Sequence, residues 1–159
     1  LERAFGPGEI DVSGYYGRAP LVASSVINEV AEQADSVIAN LDPQVIKNLQ
    51  KRAPRVCVAT KDVHEYGKRL VEQVLKKIGV EVIDGGVSTD ADDLAALAQN
   101  VDASVIAVST YNGVGSSFIR QLSDEIETLD ISVDVYIGGR LNVVPDGSNT
   151  GIPYDSNIA

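Results

Sequence analysis

The single histidine of the chain follows a carboxylate and precedes a glycine in the spacing Asp62-Val63-His64-x-x-Gly67. A carboxylate two residues before an imidazole can accept the Nδ1 proton, which fixes the tautomer and leaves Nε2 as a base or a metal ligand. Gly67 permits a close backbone approach that a Cβ would prevent. The motif predicts an oriented imidazole. The simpler alternative is a solvated loop histidine beside a helix-capping aspartate.

A second candidate segment, residues 109–115, is rich in hydroxyl, amide and glycine residues. Its sequence is Ser109-Thr110-Tyr111-Asn112-Gly113-Val114-Gly115. Hydroxyl and amide groups can hydrogen-bond a polar ring or tail, and Gly113 and Gly115 leave space beside them. The same composition is also typical of a turn before a helix. A third candidate, Gly138-Gly139, is either a tight turn or a place kept free of side chains.

The hydrophobic pattern of residues 55–139 predicts the elements that position these segments. A continuous apolar run at residues 56–59 is typical of a strand covered on both faces, and further strands are predicted at residues 80–83, 104–108 and 133–137. Helical spacing of apolar residues predicts helices through residues 68–78, 90–101 and 119–129, the second capped by Ser88 or Thr89.

This alternation predicts a doubly wound α/β fold with a parallel sheet and helices on both faces. In a flavodoxin-like strand order of 2-1-3-4, ligands bind beyond the carboxyl ends of the first and third strands. All three candidate segments follow carboxyl ends of predicted strands. The three segments are therefore better explained as the borders of one ligand-binding crevice than as three unrelated turns.

The chain before the sheet, residues 1–53, is predicted to form an extended arm and a helical extension. Residues 24–41 carry an apolar helical face, and Asp42-Pro43 predicts an N-cap and first-turn proline of a second helix that ends at Pro54. Residues 54–159 are the predicted binding domain. Residues 141–159 show no periodic apolar pattern, so we expect the last helix, strand and helix of a five-stranded fold to be missing.

Composition excludes several classes of function. A net charge of -10 would repel nucleic acid phosphates, so no nucleic-acid partner is expected. No apolar run approaches the roughly 20 residues that span a bilayer, and no signal peptide is recognisable, which predicts a cytoplasmic protein without a membrane partner. Cys57 is the only cysteine, which excludes an intramolecular disulfide and a thiolate-rich metal site.

Other functions of doubly wound domains conflict with the residues at the strand ends. A response regulator requires an aspartate where Ser109 follows the third strand. A flavodoxin phosphate loop would meet the carboxylates of Asp62 and Glu65, and a dinucleotide fold requires G-x-G-x-x-G there. Cys57 lies within a predicted strand, where a core position is more plausible than a nucleophile.

The three segments together resemble the D-x-H-x-x-G, S-x-L and G-G signature of base-off/His-on cobalamin-binding domains, over about residues 55–140. The resemblance implies a flavodoxin-like, Rossmann-type fold in which His64 replaces dimethylbenzimidazole as the lower axial ligand of cobalt. It implies that Asp62 holds His64 by a hydrogen bond and that Ser109 bonds the displaced base. Tyr111 stands where the family usually has leucine.

The resemblance also implies that Gly138 and Gly139 make room for the nucleotide tail of the cofactor. The complete set of predicted cofactor-binding residues is Asp62, Val63, His64, Gly67, Ser109, Tyr111, Gly113, Gly115, Gly138 and Gly139, with His64 as the metal ligand and no catalytic residue.

Within the family, residues 109–115 are most similar to the loops of glutamate mutase small subunits and methylmalonyl-CoA mutase. This similarity implies the adenosylcobalamin-binding component of a carbon-skeleton mutase, an isomerase that is inactive without a substrate-binding barrel in another chain or domain. Two alternatives stay open. One is a corrinoid protein of a methyltransferase, and the other is a non-enzymatic flavodoxin-like interaction module.

Overall fold

A computed structural model describes residues 24–111, 115–139, 142–143 and 152–153. Two helices, α1 (Ser24–Ala39) and α2 (Pro43–Arg52), precede a run of alternating strands and helices. These are β1 (Arg55–Thr60), α3 (Tyr66–Lys77), β2 (Glu81–Val87), α4 (Ala91–Asn100), β3 (Val105–Thr110), α5 (Gly115–Thr128) and β4 (Asp134–Gly139). Two short strands follow, β5 (Asn142–Val143) and β6 (Ile152–Pro153).

The four longer strands form one parallel sheet in the order β2-β1-β3-β4. This order confirms the predicted doubly wound, flavodoxin-like α/β fold. β1 is buried from Val56 to Thr60, as its continuous apolar run indicated. The winding reverses between β1 and β3, so the carboxyl ends of these two strands border the crevice in which ligands of such folds bind.

Hydrophobic clusters cover the two faces of the sheet. On one face α4 and α5 pack against the strands, and the cluster includes Leu94, Phe118 and Leu122 together with the buried Cys57. On the other face a cluster of buried residues from β1 and from the segment after α3 packs against three partly buried side chains of α1 and α2, namely Ile38, Ile46 and Leu49. The helical extension thus contributes to the core beneath the sheet, while its predicted boundary after residue 53 stays a prediction.

Local signals place the start of α2 correctly. The side chain of Asp42 accepts a hydrogen bond from the backbone N–H of Gln44 at 2.8 Å, and Pro43 occupies the first turn. The predicted cap of α4 was wrong. Thr89 Oγ1 instead donates to the carbonyl oxygen of Gly85 at 2.6 Å, and Asp90 precedes the helix in an extended conformation.

Several elements are longer than the apolar pattern predicts. α3 begins at Tyr66 and α5 at Gly115, so Gly67 and Gly115 lie in first helical turns rather than in loops. Gly138 and Gly139 pair with Ser109 and Thr110 as the last residues of β4, and are not a turn beyond it. Backbone pairing needs no side chain, so an apolar pattern does not mark where it ends.

Two short strands lie after residue 140, where we expect the last helix, strand and helix of a five-stranded fold to be missing, and that expectation stays a prediction. β5 and β6 pair antiparallel with each other, separately from the four-stranded sheet. These four residues are the only ones described within residues 141–159, and the predicted arm at residues 1–20 lies outside the described part of the chain. In the part that is described, no helix has the length and apolar character needed to cross a bilayer.

Candidate functional site

The loop between β1 and α3 holds the imidazole of His64 against a buried carboxylate. Asp62 Oδ1 accepts the backbone N–H of His64 at 2.9 Å and lies 3.2 Å from Nδ1 of its ring. The side chain of Asp62 is 6% exposed, whereas that of His64 is 54% exposed. An imidazole whose Nδ1 donates to a carboxylate presents a lone pair on Nε2. None of the described residues forms a hydrogen bond with Nε2.

The same carboxylate connects this loop to the end of β3. Asp62 Oδ2 accepts the backbone N–H of Tyr111 at 2.5 Å. Burial by itself would raise the pKa of Asp62, but hydrogen bonds from the N–H groups of Tyr111 and His64 lower it below its ordinary value. Asp62 is therefore an ionised acceptor that serves donors from two segments of the chain.

The buried hydroxyl of Thr60 supports the backbone of the loop. Thr60 Oγ1 lies 3.3 Å from the carbonyl oxygen of Asp62 and 3.5 Å from that of His64, and it accepts the Asp62 N–H at 3.4 Å. Sequence reasoning did not single out this residue, which directly follows the strand predicted at residues 56–59. A threonine two residues before an aspartate at a strand end is the signal that could have identified it.

Two exposed side chains lie next to the imidazole in the sequence or in space. The ring of Tyr111 is 4.9 Å from that of His64 between centroids, with the planes inclined by 34°. Val63, between Asp62 and His64, is 72% exposed, and Tyr111 is 48% exposed. The surface around the imidazole therefore includes apolar area that a flat, largely apolar ligand could cover.

Helix α3 approaches β3 closely at Gly67. A Cβ built on Gly67 would overlap the hydroxyl oxygen of Ser109. Ser109 is half-buried and stands beside Gly138 in the parallel register of β3 and β4. The absence of a side chain at Gly67 is thus what allows the Ser109 hydroxyl to lie between the helix and the sheet.

A groove of about 370 Å³ lies on this face of the sheet, between α3 and β4. Its polar side chains are Ser109 and Tyr136. The remaining lining comes from α3 and from the strands, namely Val58, Gly67, Leu70, Val71, Ala107, Val108, Ile137, Gly138 and Gly139. A Cβ on Gly138 would meet nothing within 4 Å, so this glycine borders open space. The groove is large enough for a small organic ring and mostly apolar.

The neighbouring glycine has a different role. Gly139 has a φ of +111°, and a Cβ there would overlap the carbonyl oxygen of Thr110. Only glycine fits this backbone without strain. Gly139 therefore shapes the end of β4, whereas Gly138 leaves the groove open.

A charge cluster of the buried Lys68 and Glu72 with the exposed Asp84 anchors the start of α3 to β2. Lys68 Nζ lies 2.6 Å from Glu72 Oε1 and 2.7 Å from Asp84 Oδ1, and the side chain of Lys68 is 5% exposed. Burial would lower the pKa of Lys68, but hydrogen bonds to Asp84 and Glu72 raise it above its ordinary value. The cluster fixes the helix that carries Gly67.

The structure therefore brings together most of the predicted residues in two adjoining places. Asp62, His64 and Tyr111 meet at the carboxyl ends of β1 and β3. Gly67, Ser109, Gly138 and Gly139 line the groove. Gly115 is the buried first residue of α5 and does not line it, and Gly113 lies outside the described residues.

Sequence reasoning also missed the groove walls formed by Leu70, Val71 and Tyr136. The first two were assigned to the buried face of a helix, and Tyr136 to a strand. Val71 is 38% exposed and Tyr136 is 64% exposed. Their exposure depends on which part of the sheet α3 leaves uncovered, which the sequence pattern does not reveal.

The fold and the site together define a ligand-binding domain of the flavodoxin-like class. Its oriented imidazole lies at the topological switch point, and its apolar groove lies beside it.

Comparison with known proteins gives the family. The B12 binding domain family matches residues 52–152, so this chain belongs to that family and is a cobalamin-binding domain. The family predicted from the three motifs is thereby confirmed.

Two of the relatives that the chain matches are glutamate mutase sigma subunits. Glutamate mutase sigma subunit 1 of Haloarcula marismortui is 35% identical over 82 residues, which cover 52% of this chain and 54% of that subunit. The glutamate mutase sigma subunit of Carboxydothermus hydrogenoformans is 32% identical over 83 residues, which cover 52% of this chain and 61% of that subunit. The chain therefore spans little more than half the length of these relatives.

A solved structure shares the fold. It is a cobalamin-binding protein from Desulfitobacterium hafniense DCB-2, with a TM-score of 0.53 at 16% identity. The match covers 85% of this chain and 77% of that one.

Proposed function

We propose that this domain binds cobalamin in the base-off form, with Nε2 of His64 as the lower axial ligand of cobalt. The observation that carries the proposal is the buried, ionised Asp62 carboxylate beside Nδ1 of a half-exposed imidazole. A hydrogen bond of this kind orients a ligating histidine and increases its basicity. A single imidazole is a poor site for a free ion, but it suits a metal whose other positions a macrocycle already occupies.

The displaced base and nucleotide tail would lie in the groove between α3 and β4. Apolar walls favour an aromatic base, and the Ser109 hydroxyl offers a hydrogen bond to it. The open space beside Gly138 supports this assignment, because side-chain atoms there would fill the groove. The close approach at Gly67 supports it as well, since it leaves the hydroxyl at the groove wall.

The similarity to glutamate mutase sigma subunits favours adenosylcobalamin as the form of the cofactor and a carbon-skeleton mutase as the enzyme. Adenosylcobalamin supplies radical chemistry when bound. The residues of this chain would bind and orient it, and a substrate-binding barrel in another chain or domain would supply the substrate site. This domain alone is then expected to bind the cofactor without catalysing a reaction. Its location in the cytoplasm stays a prediction.

Reduced-cobalt EPR tests the axial ligand directly, because the chain contains a single histidine. The full chain is loaded with hydroxocobalamin, reduced, and compared with the same protein containing histidine labelled with the heavy nitrogen isotope. We expect the nitrogen splitting of the cobalt signal to change with the label in the wild type. In His64→Ala any remaining splitting should come from the cofactor's own base, and added free imidazole that carries the heavy isotope should give a splitting characteristic of that isotope.

A nitrogen splitting that does not change with the isotope label in the wild-type protein would refute His64 as the ligand. The form of the cofactor needs a second measurement. Adenosylcobalamin and methylcobalamin are each loaded and mixed with a glutamate mutase substrate-binding subunit. Turnover with the adenosyl form alone supports the mutase assignment, whereas methyl transfer from the methyl form to an acceptor would favour a methyltransferase.

A further inference from the structure

Tyr111 contacts both members of the Asp62 and His64 pair. Its backbone N–H donates to Asp62 Oδ2 at 2.5 Å, and its ring lies 4.9 Å from the imidazole between centroids. We infer that Tyr111 is a positioning residue whose ring restricts rotation of the His64 imidazole and so presents Nε2 in one direction. That Nε2 is the cobalt ligand rests on the proposed function, whereas the restricted rotation of the imidazole rests on the ring contact alone.

The hydrogen bond to Asp62 fixes the Nδ1 edge of the imidazole but does not by itself fix the plane of the ring. Asp62 Oδ1 serves two donors of His64, and the bond to the ring nitrogen, at 3.2 Å, is longer than the bond to the backbone N–H at 2.9 Å. Charge-assisted hydrogen bonds to a carboxylate are usually shorter, about 2.7–2.9 Å. With 54% of its side chain exposed, His64 also has little packing around it.

The ring of Tyr111 supplies a second restraint from another direction. A hydrogen bond fixes one edge of the imidazole, and an aromatic neighbour restricts motion of its face. The centroid distance lies within the range of stabilising aromatic pairs, about 4.5–7 Å. A leucine at this position would have no aromatic face, so the restraint depends on the tyrosine ring.

Substitutions of Tyr111 can isolate the ring contact, because the bond to Asp62 uses the backbone. Tyr111→Leu removes the aromatic face and keeps the N–H donor, while Tyr111→Phe keeps both. Since Tyr111 is 48% exposed, neither change should disrupt the core. Thermal unfolding of both variants verifies this point.

The test measures the imidazole in the protein without cofactor. Because His64 is the only histidine, its ring signals in a carbon–proton NMR spectrum need no further assignment. In Tyr111→Leu we expect loss of the ring-current shift and faster ring motion in relaxation measurements, and Tyr111→Phe should retain both wild-type properties. Unchanged ring shifts and motion in Tyr111→Leu would overturn the inference.

Cofactor binding gives an independent result. Ordering one side chain on binding corresponds to roughly a two- to tenfold difference in affinity. Tyr111→Leu should weaken hydroxocobalamin binding by that factor and broaden the nitrogen splitting in the EPR spectrum, with rescue in Tyr111→Phe. Equal affinity and an equal splitting in Tyr111→Leu would overturn the positioning role. If His64→Ala binds as tightly as the wild type, the proposed ligand itself has failed, which the Tyr111 variants alone would not show.

Discussion

Gly138→Val should separate cofactor binding from folding. A Cβ at Gly138 meets nothing within 4 Å, and the residue lies in the last part of β4 with no positive φ. Valine is favoured over glycine in strands on a scale that spans about 1 kcal/mol. We therefore expect the free energy of unfolding of the cofactor-free protein to stay within about 1 kcal/mol of the wild type, or to rise by that amount.

The same substitution should weaken binding of the nucleotide tail. The added carbons project into a groove of about 370 Å³ that the base and tail would occupy. Forcing extra atoms into a filled apolar site costs about 1–3 kcal/mol. This cost corresponds to a dissociation constant that is larger by roughly 5- to 150-fold. Gly138→Ala adds a single carbon and should fall between the wild type and Gly138→Val.

Gly139→Ala is the matched control for this experiment. It also adds a methyl group at the end of β4, but at a φ of +111° and against the carbonyl oxygen of Thr110. The backbone conformation alone costs about 1–3 kcal/mol. Gly139→Ala should therefore destabilise the cofactor-free protein, in contrast to Gly138→Val.

Urea denaturation of the cofactor-free variants measures the free energy of unfolding, and an unchanged dependence on urea concentration shows that the unfolded state is the same. Titration with hydroxocobalamin followed by gel filtration measures the affinity for the cofactor. Wild-type affinity in Gly138→Val would refute the assignment of the groove to the tail. Unfolding of Gly138→Val would show instead that the space beside Gly138 is not free.

Three further predictions concern the helix that carries the groove wall. Gly67→Ala should lower the affinity for hydroxocobalamin because its Cβ displaces the Ser109 hydroxyl. In a Ser109→Ala background there is no hydroxyl to displace, and the same change should stabilise the cofactor-free protein by up to about 1 kcal/mol in urea titrations. Equal effects in the two backgrounds would contradict the overlap. Lys68→Met leaves the buried Glu72 without its cation and should lower the free energy of unfolding by about 3–5 kcal/mol, unless Glu72 is replaced by glutamine as well. Additive losses in the double variant would count against the pairing. Desolvation opposes ionisation of Asp84, but the Lys68 ammonium and the Gly86 N–H lower the pKa of this carboxyl in the folded protein. The contribution of Asp84 to stability is therefore present above the unfolded carboxyl pKa of about 3.9. It is lost as the pH falls through the lower pKa of the folded state. The stability difference between the wild type and Asp84→Asn should accordingly shrink below about pH 4, and a difference that grows on acidification would contradict this sign.

Sequence pattern alone predicts the sheet and the imidazole pair because both depend on short-range spacing. The apolar run of β1 and the helical spacing that follows it require a parallel strand order, and Asp62 is close enough to His64 in the chain for one hydrogen bond to join them. These features need no knowledge of how distant elements pack.

The groove could not be predicted in the same way. Leu70 and Val71 have the spacing of buried helix residues, and Tyr136 lies in a strand, yet all three line open space because α3 leaves part of the sheet uncovered. The difference between Gly138 and Gly139 has the same origin, since it depends on the φ of one residue and on the position of Thr110 in the neighbouring strand. A sequence shows two adjacent glycines but not which of them a methyl group would disturb.

Hydrogen bonds within the protein already hold the two segments of the site together without the cofactor. The N–H of Tyr111 reaches the carboxylate of Asp62, a separation of 49 residues along the chain, and the N–H of Lys61 donates to the carbonyl oxygen of Ser109 at 3.3 Å. Ordering these segments is therefore a cost of folding and not of binding. A cofactor that meets an imidazole and a groove already in place loses less affinity to ordering. Substitutions that weaken these hydrogen bonds should consequently raise the dissociation constant of the cofactor even where the fold is intact.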